Sequence, residues 1–398
     1  MKLLLTETST NKTCVVLDDM ILTKDMPTTA GSKMLDGYRS PFDAEVVTKL
    51  VQAGYTLGGK ANVGEFAVDL LGETSYFGAC TQDGALIGAA DALVQKNEAI
   101  AAVQLDVNGA PRRSAALSGN ICVKPTYGTV SRYGTIPIAC SGETVCVTAQ
   151  TVSVCRDILS AVADHDDKDG TSLPQQSCDL LKKDAPRKAV KKVAIITDLA
   201  SAANDRNKLA DFRAFLEGQG VVCAEVSAPE IAAVNTAWNI LMTAELCNNV
   251  SRYDGVKFGY RSATYTNIDE LYTNSRTEAF GDFLKTMILY GSRVLSSGNY
   301  EKMYDKALRV RRVIAESFAK LFEEYDCVLI PACGKERYTP EDVQADKYLA
   351  CKENLFTAPA SISGLPAVIV GGVQLMGPAF SENSLLDLAE SYEKEHKK

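Results

Sequence analysis

The sequence is poor in histidine. His165 and His396 are the only two among 398 residues. His165 lies in the acidic stretch "ADHDDKDG", and His396 lies in a charged tail. Because Ser-His-Asp and Cys-His catalysis both use a histidine as the base, the chain has almost no material for either. Any hydrolase chemistry here would need a lysine or a carboxylate as its base.

Cysteine pairs of the metal-binding kind are also missing. The 12 cysteines include no C-x-x-C pair and no cluster with the spacing of zinc ligands. We therefore expect no metal and no other cofactor. Several cysteines lie in apolar runs, as Cys146 does in "TVCVT". This context is typical of buried, reduced thiols in a cytoplasmic protein.

Long hydrophobic runs are absent as well. No segment approaches the roughly 20 apolar residues of a membrane span, and the apolar run in "MKLLLTETST" is too short for a signal peptide. We expect a cytoplasmic protein with no membrane partner. The net charge is −8 with a pI near 5.1, so direct binding of nucleic acid is not expected. The basic run over residues 180–193 is interpreted as a solvated segment before a strand.

The remaining composition is that of an ordinary globular protein, with 46% hydrophobic and 23% charged residues. Strand-like runs alternate with amphipathic helical patterns, which predicts an α/β fold in one domain over residues 1–398. The pattern also predicts long helices, which we place at residues 229–251, 276–296, 300–325 and 381–395. Gly371 and Gly372 predict a tight turn between two strands.

One long segment carries a resemblance to a known family. Residues 122–152 read "CVKPTYGTVSRYGTIPIACSGETVCVTAQTV" and are similar to the amidase signature family, in particular to its amidotransferase A subunits. Five further segments resemble those subunits in the same order: "TKDMPTTAGSKML", "GYTLGGKANVGEFA", "GSRVLSSGNYEKMYDKALRVRRVI", "FTAPASISGLPAV" and "VQLMGPAFSENSLL". The resemblance implies an α/β/α sandwich around a mixed sheet of about ten strands, with helices on both faces.

The chemistry that the resemblance implies uses a lysine, a bridging serine and a nucleophilic serine, with backbone N–H groups that bind the oxyanion. The position of the lysine falls on Asp18 in "VVLDDMILTKDMPTT", and no lysine occurs between Lys12 and Lys24. An aspartate can accept a proton, but its side chain is shorter by several bonds. Lys60 matches a family lysine that supports the fold, so we expect a structural role for it.

The position of the nucleophilic serine falls on Ala110 in "DVNGAPR". The preceding residues Val107, Asn108 and Gly109 match the oxyanion turn, and Arg112 matches a family arginine. Alanine carries no nucleophile. Arg112 and Arg113 could still bind an anion at this turn.

The position of the bridging serine falls on Leu86, or near Ala79 and Cys80 if the alignment has a gap. No serine occurs between Ser75 and Ser114, so the bridging hydroxyl is missing in either alignment. The stretch "ALIGAADALV" replaces the glycine-rich loop of the family and predicts a regular, helical and apolar segment.

Two positions that bind the glutamine carboxylate and amine in the family's A subunits also differ. The basic residue of the family falls near Met287, and the aspartate falls on Asn354 in "ENLFTAP". Both charged partners of the glutamine zwitterion would then be lost.

Three interpretations follow. The first is a catalytically silent member of the family that binds a ligand or a partner. That partner would be a B-type or C-type amidotransferase subunit or a second copy of the chain. The second is an enzyme with new chemistry, carried by Asp18 or by the thiol of Cys80. We expect Ser114 and Ser118 to face the core or solvent and take no part. The third is an active, glutamine-hydrolysing subunit whose residues are misaligned, which the missing serine nearly excludes.

Overall fold

Every residue of the central strands is buried, which requires cover on both faces of the sheet. The protein is described by a computed structural model over residues 3–8, 13–204 and 206–396. Within these residues the strands are β1 (Leu4–Glu7), β2 (Cys14–Asp18), β3 (Thr56–Ala61), β4 (Thr81–Gln82), β5 (Ala85–Leu86), β6 (Ala101–Asp106), β7 (Ile121–Lys124), β8 (Thr144–Ala149), β9 (Lys192–Ile196), β10 (Val222–Val226), β11 (Cys327–Pro331), β12 (Ala367–Val370) and β13 (Val373–Met376).

Eleven of these strands form one sheet, in the order β1-β3-β2-β6-β8-β7-β12-β13-β11-β9-β10. The neighbours β3–β2, β2–β6, β11–β9 and β9–β10 are parallel, and the other pairs are antiparallel. The sheet is therefore mixed, and it is close to the size expected from the sequence. β4 and β5 form a separate hairpin.

The helices of the described residues are α1 (Glu45–Gln52), α2 (Ala89–Gln95), α3 (Ala110–Ser118), α4 (Val152–Val162), α5 (Gln175–Cys178), α6 (Thr197–Ala200), α7 (Asn207–Gly218), α8 (Val234–Asn249), α9 (Ile268–Ala279), α10 (Asp282–Leu295), α11 (Lys306–Glu324), α12 (Pro340–Ala345), α13 (Leu349–Glu353), α14 (Ala358–Ser363) and α15 (Glu382–His396). No described helix is both long enough and apolar enough to cross a bilayer.

Alternation along the strands divides the core between the two faces of the sheet. Val123 and Val147 pack on one face with helix α4, whereas Cys122 and Cys146 pack on the other face with the alanines of α3. Adjacent residues of a strand point to opposite faces, so one apolar run supplies both layers. The helix α3, which carries the predicted nucleophile position, is thereby fixed against the sheet.

One of the predicted helices was wrong in its bounds. The predicted helix over residues 276–296 is interrupted at Gly281, whose extended backbone (φ −68°, ψ 160°) caps α10 and whose N–H donates to Glu65 Oε2 at 2.9 Å. The preceding helix α9 instead starts at Ile268, behind the capping side chain of Asn267. The helix predicted at residues 300–325 was confirmed, because a π-helical turn over Glu301–Asp305 continues without a break into α11.

Other local predictions were confirmed. The predicted helix over residues 229–251 corresponds to α8 with a short 3-10 turn at each end, and the predicted final helix corresponds to α15. Gly371 and Gly372 are the whole connection between β12 and β13, both with positive φ. The stretch "ALIGAADALV" becomes β5 followed by the helix α2.

Candidate functional site

Strands β2 and β6 are parallel neighbours, so their carboxyl ends lie at the same edge of the sheet. Asp18 is the last residue of β2, and the chain turns from β6 into α3 at Ala110. A small cavity of about 50 Å³ lies between these ends and is lined by Asp18 and Ala110. Crevices at the carboxyl ends of strands are the usual position of a site in α/β proteins. The structure thus brings together two of the three predicted catalytic positions.

The carboxylate of Asp18 is held by backbone donors. Its Oδ1 accepts from the N–H of Met20 at 3.0 Å, and its Oδ2 accepts from the N–H of Leu105 at 2.6 Å. Burial raises the pKa of Asp18 to about 7, although both hydrogen bonds and the nearby Lys60 lower it in part. The carboxyl group therefore titrates near neutral pH, but both of its oxygens are already engaged within the fold.

Lys60 lies on β3 opposite Leu17 and reaches the same region from the side. Its ammonium donates to the carbonyl of Ile21 and to Thr28 Oγ1, the latter at 3.0 Å. Burial lowers the pKa of Lys60 to about 8, although the negative charges of Asp19 and Asp18 raise it in part. These contacts tie the loop after β2 to the sheet, which favours the structural role expected for Lys60.

The turn before α3 is fixed by packing on both sides. Gly109 has φ +95°, and a Cβ at this position would come within 2.2 Å of Thr357 Cβ. The carbonyl of Asn108 accepts from Asn354 Nδ2 at 2.8 Å and from Thr357 Oγ1 at 2.9 Å. Its side-chain oxygen accepts from Trp238 Nε1 at 2.6 Å. The backbone that would present residue 110 is thus rigid, but residue 110 is alanine.

Arg112 is completely buried behind this turn. Its Nε donates to Asp106 Oδ2 at 2.6 Å in a buried ion pair. Its remaining N–H groups donate to Asp106 Oδ1, the carbonyl of Thr357, Gln374 Oε1 and Ser361 Oγ. This arrangement joins α3 to β6, β13 and α14. It favours a structural role over the predicted binding of an anion.

The candidate positions for the bridging serine separate in space. Cys80 lines the cavity, whereas Leu86 lies in a hydrophobic cluster with Tyr338 and Ala350 and is not among the lining residues. Ala79 packs at the edge of that cluster. Burial raises the pKa of the Cys80 thiol, and Asn62 Nδ2 lies 3.6 Å from its sulfur. A thiol with a raised pKa is a poor nucleophile at neutral pH.

Asp91 was not predicted, and it is the most unusual group of the cavity. It lies in α2, is fully buried, and burial raises its pKa to about 7. Neither carboxyl oxygen has a hydrogen bond of good geometry in the described part of the chain, although Ser114, Gln104 and Asn120 lie close enough to lower the pKa. The sequence signal is a lone acid in the alanine-rich run "GAADALV".

Ser114 is buried as expected, and it also lines the cavity. Its Oγ accepts from the N–H of Gly88 at 2.8 Å, which joins α3 to the start of α2. Ser118 follows the prediction: it is buried, and its Oγ donates to the carbonyl of Ser114 at 3.0 Å. Arg113 lines the cavity with its buried side chain, which lies 3.5 Å from Glu353 and 3.3 Å from the carbonyl of Lys335.

Met287 and Asn354 lie in different environments. Met287 is 5% exposed and lines an open groove between α8, α10 and α13. Asn354 is fully buried, and its Nδ2 donates to the carbonyl of Asn108 and to Thr357 Oγ1. Its Oδ1 has no partner among the described residues. The two predicted substrate positions therefore do not line one cavity in this structure.

Three of the six basic residues in the run over residues 180–193 pair with nearby acids. Lys183 pairs with Asp157 at 2.6 Å, and Arg187 pairs with Asp387 at 2.8 Å. Lys188 pairs with Asp326 at 2.7 Å. These pairs fit a solvated segment before β9.

The size and donor set of the cavity limit its chemistry. Pockets for small-molecule ligands usually measure about 300 Å³ or more, so a cavity of about 50 Å³ holds a few water molecules at most. Across the described ranges, no group of three His, Cys, Asp or Glu side chains could hold a metal ion. The site has carboxyl groups that titrate near pH 7, but no hydroxyl at residue 110.

Comparison with known proteins identifies extensive similarity. A family model described as Amidase matches residues 14–386. The A subunit of the glutamyl-tRNA(Gln) amidotransferase of Coxiella burnetii (strain Dugway 5J108-111) is 35% identical over 403 residues, covering 95% of this chain and 82% of the relative. The protein of the same name from Streptococcus pneumoniae (strain 70585) is 33% identical over 399 residues with the same coverage.

Solved structures show the same architecture. The A subunit of the glutamyl-tRNA(Gln) amidotransferase of Thermotoga maritima has a TM-score of 0.80 and 25% identity, covering 99% of this chain and 87% of that chain. A 6-aminohexanoate cyclic dimer hydrolase has a TM-score of 0.78 at 17% identity, covering 96% of this chain and 84% of that chain. The second likeness concerns the fold alone.

Proposed function

The chain belongs to the amidase family, and on this basis we propose that it is a member that does not hydrolyse amides and acts by binding. The observation that carries the proposal is Ala110, which stands at the first position of α3 behind the retained turn at Gly109. A methyl group cannot attack a carbonyl, whatever base is near it.

The surroundings of Ala110 support this proposal. The adjacent cavity of about 50 Å³ is too small for an amino acid amide. Asp18, at the position of the family's lysine, has both oxygens engaged by backbone N–H groups. Removing one member of a catalytic set costs orders of magnitude in rate, and here the nucleophile and the lysine are both replaced.

The proposal includes the setting of the protein. We place it in the cytoplasm as a single domain over residues 1–398, without metal or cofactor. The similar proteins are by name the A subunits of an amidotransferase. The proposed partner is accordingly a B-type or C-type amidotransferase subunit, or a second copy of this chain, rather than nucleic acid directly.

Two experiments test the proposal. The purified protein is assayed for ammonia release from glutamine and asparagine and for turnover of simple esters, beside the Coxiella burnetii relative. We expect no release above background. Turnover that persists through successive chromatographic steps and disappears in Asp18→Ala or Cys80→Ala would overturn it. Size-exclusion chromatography with light scattering, alone and with B-type and C-type subunits of the same genome, tests the partner.

A second candidate function rests on the titration of the cavity carboxyls. Asp18 and Asp91 both have a pKa raised to about 7, which suits a general base at neutral pH. An enzyme with new chemistry would use such a base on a substrate small enough for this cavity. The activity screen with Asp18→Ala and Asp91→Ala separates it from the binding function.

A further inference from the structure

A second depression, distinct from the small cavity, surrounds Met287. It measures about 300 Å³ and lies between α8, α10 and α13; we call it the Met287 groove. The groove reaches the lower end of the size range of small-molecule pockets. It is therefore large enough for a ligand with a single ring.

The apolar wall of the Met287 groove is aromatic. Met287 lies at its base, and the side chains of Tyr290 and Tyr348 line it while remaining 36% and 62% exposed. Exposed aromatic rings around a thioether present flat and polarizable surfaces to solvent. Stacking of a second planar ring on such a surface is favourable.

The polar wall is formed by amides of α8. Asn239 Nδ2 donates to the carbonyl of Asn235 at 2.9 Å and to its Oδ1 at 2.7 Å. Within the described residues, Asn239 Oδ1 accepts no hydrogen bond. That oxygen is shielded from solvent and therefore also from a ligand, so the amide left for a ligand on this wall is that of Asn235.

Among the described residues, the Met287 groove has no unpaired formal charge. Of the described residues that line the groove, only Lys352 is charged, and its ammonium pairs with Asp346 at 2.5 Å. A charged ligand would lose hydration without gaining a counter-ion, which is unfavourable. An adjoining depression that shares Met287 and Tyr348 carries charges of both signs.

We propose that the Met287 groove binds an uncharged compound with one aromatic ring and an amide or hydroxyl substituent. The ring stacks with Tyr290 and Tyr348 over Met287, and the substituent forms a hydrogen bond with the amide of Asn235. This inference rests on the proposed function, because a ligand in the groove is recognised without a reaction.

The test uses three probes of the same shape and different charge: benzamide, benzoate and benzylamine. Binding to the full chain is measured by ligand-observed NMR and calorimetry. We expect benzamide to bind at least about tenfold more tightly than either charged probe, a difference of about 1.4 kcal/mol. Tyr348→Ala should weaken benzamide by a similar factor. Met287→Lys should weaken benzamide and strengthen benzoate.

Leu289→Ala is the matched control, because Leu289 lies on α10 with Met287 and Tyr290, is 71% exposed and does not line the groove. It should leave benzamide binding unchanged. Circular dichroism verifies that each variant is folded. Equal binding of all three probes, no binding of benzamide, or no effect of Tyr348→Ala would overturn the proposal. Self-association lost in Tyr348→Ala would instead assign the groove to a second copy and also overturn it. Each of these results leaves the ammonia-release assay unaffected, so the two proposals fail independently.

Discussion

The indole Nε1 of Trp238 donates a 2.6 Å hydrogen bond to Oδ1 of Asn108, and both side chains are buried. Trp238 is the only tryptophan of the sequence, and it lies in α8, 130 residues along the chain from Asn108. Asn108 Nδ2 in turn donates to the carbonyl of Val68 at 3.1 Å. One asparagine thus joins three distant segments at the start of α3, and the shape of the turn depends on it.

Trp238→Phe should lower the free energy of unfolding by about 1–3 kcal/mol, because the change leaves Asn108 Oδ1 buried without its donor. Urea unfolding followed by far-UV circular dichroism measures the loss. A double-mutant cycle with Asn108→Ala isolates the pair. Additive losses in the cycle would show that the hydrogen bond does not stabilise the turn.

Asp91→Asn should stabilise the protein more at pH 8 than at pH 5. Burial raises the pKa of Asp91 from 3.8 to about 7, so the folded state keeps a proton that the unfolded chain loses. The wild-type protein therefore loses stability as the pH rises from about 4 to about 7, and the loss is complete above that range. The gain in the variant should be roughly 2–3 kcal/mol larger at pH 8 than at pH 5.

Asp18→Asn is the control for this measurement, because Asp18 has a similarly raised pKa but accepts two backbone N–H groups. An amide can accept through only one of its two end atoms, so one backbone donor would lose its partner. We expect a smaller gain for Asp18→Asn than for Asp91→Asn at pH 8. Equal gains would contradict the contacts assigned to Asp18.

Gly109→Ala should destabilise the protein more than Gly119→Ala. Both glycines flank α3 with positive φ, but a Cβ at residue 109 meets Thr357 at 2.2 Å, whereas no atom of the described residues lies within 4 Å of a Cβ at residue 119. Strained backbone alone costs about 1–2 kcal/mol, which both variants share. Thermal unfolding of the two variants gives the difference. A Tm for Gly109→Ala as high as that of Gly119→Ala would disprove the close approach to Thr357.

Ala110→Ser should restore a hydroxyl without restoring hydrolysis. Under the proposed function, Asp18 stands at the position of the family's base, and residues 79, 80 and 86, where the bridging hydroxyl would lie, are alanine, cysteine and leucine. An unactivated serine reacts poorly with amides. A fluorophosphonate label, which reports an activated serine, should leave the variant unmodified while labelling the Coxiella burnetii relative. Labelling of Ala110→Ser at a comparable rate would reveal a base that acts on this position.

Local sequence patterns predicted the fold well wherever one pattern spans a complete strand, helix or turn. Alternating apolar residues and the Gly371–Gly372 turn needed no long-range information. The break at Gly281 was missed because its cause is a hydrogen bond to Glu65, far away in the sequence. The helix α9 was missed because "IDELYTNSRTEA" buries few residues and has little apolar periodicity.

The candidate site was predictable where a motif fixes the position. Asp18 and Ala110, both named from the family motifs, line the same small cavity, since both adjoin the carboxyl ends of neighbouring strands. Asp91 and Ser114 were not assigned to the site, because their approach depends on how α2 packs against α3. The hydrogen-bond partners of Arg112 could not be predicted from the sequence either. Thr357 and Ser361 belong to the start and interior of α14, and Gln374 belongs to β13, all far from Arg112 along the chain.

The rigid turn at Gly109 has an evolutionary consequence. Its shape is held by Thr357, Asn354 and Trp238, and none of these contacts involves the side chain of residue 110. An exchange between serine and alanine at that position is therefore nearly neutral for folding. Selection for a stable scaffold cannot preserve a reactive group there, so lineages of this architecture can drift away from chemistry while every strand and helix persists.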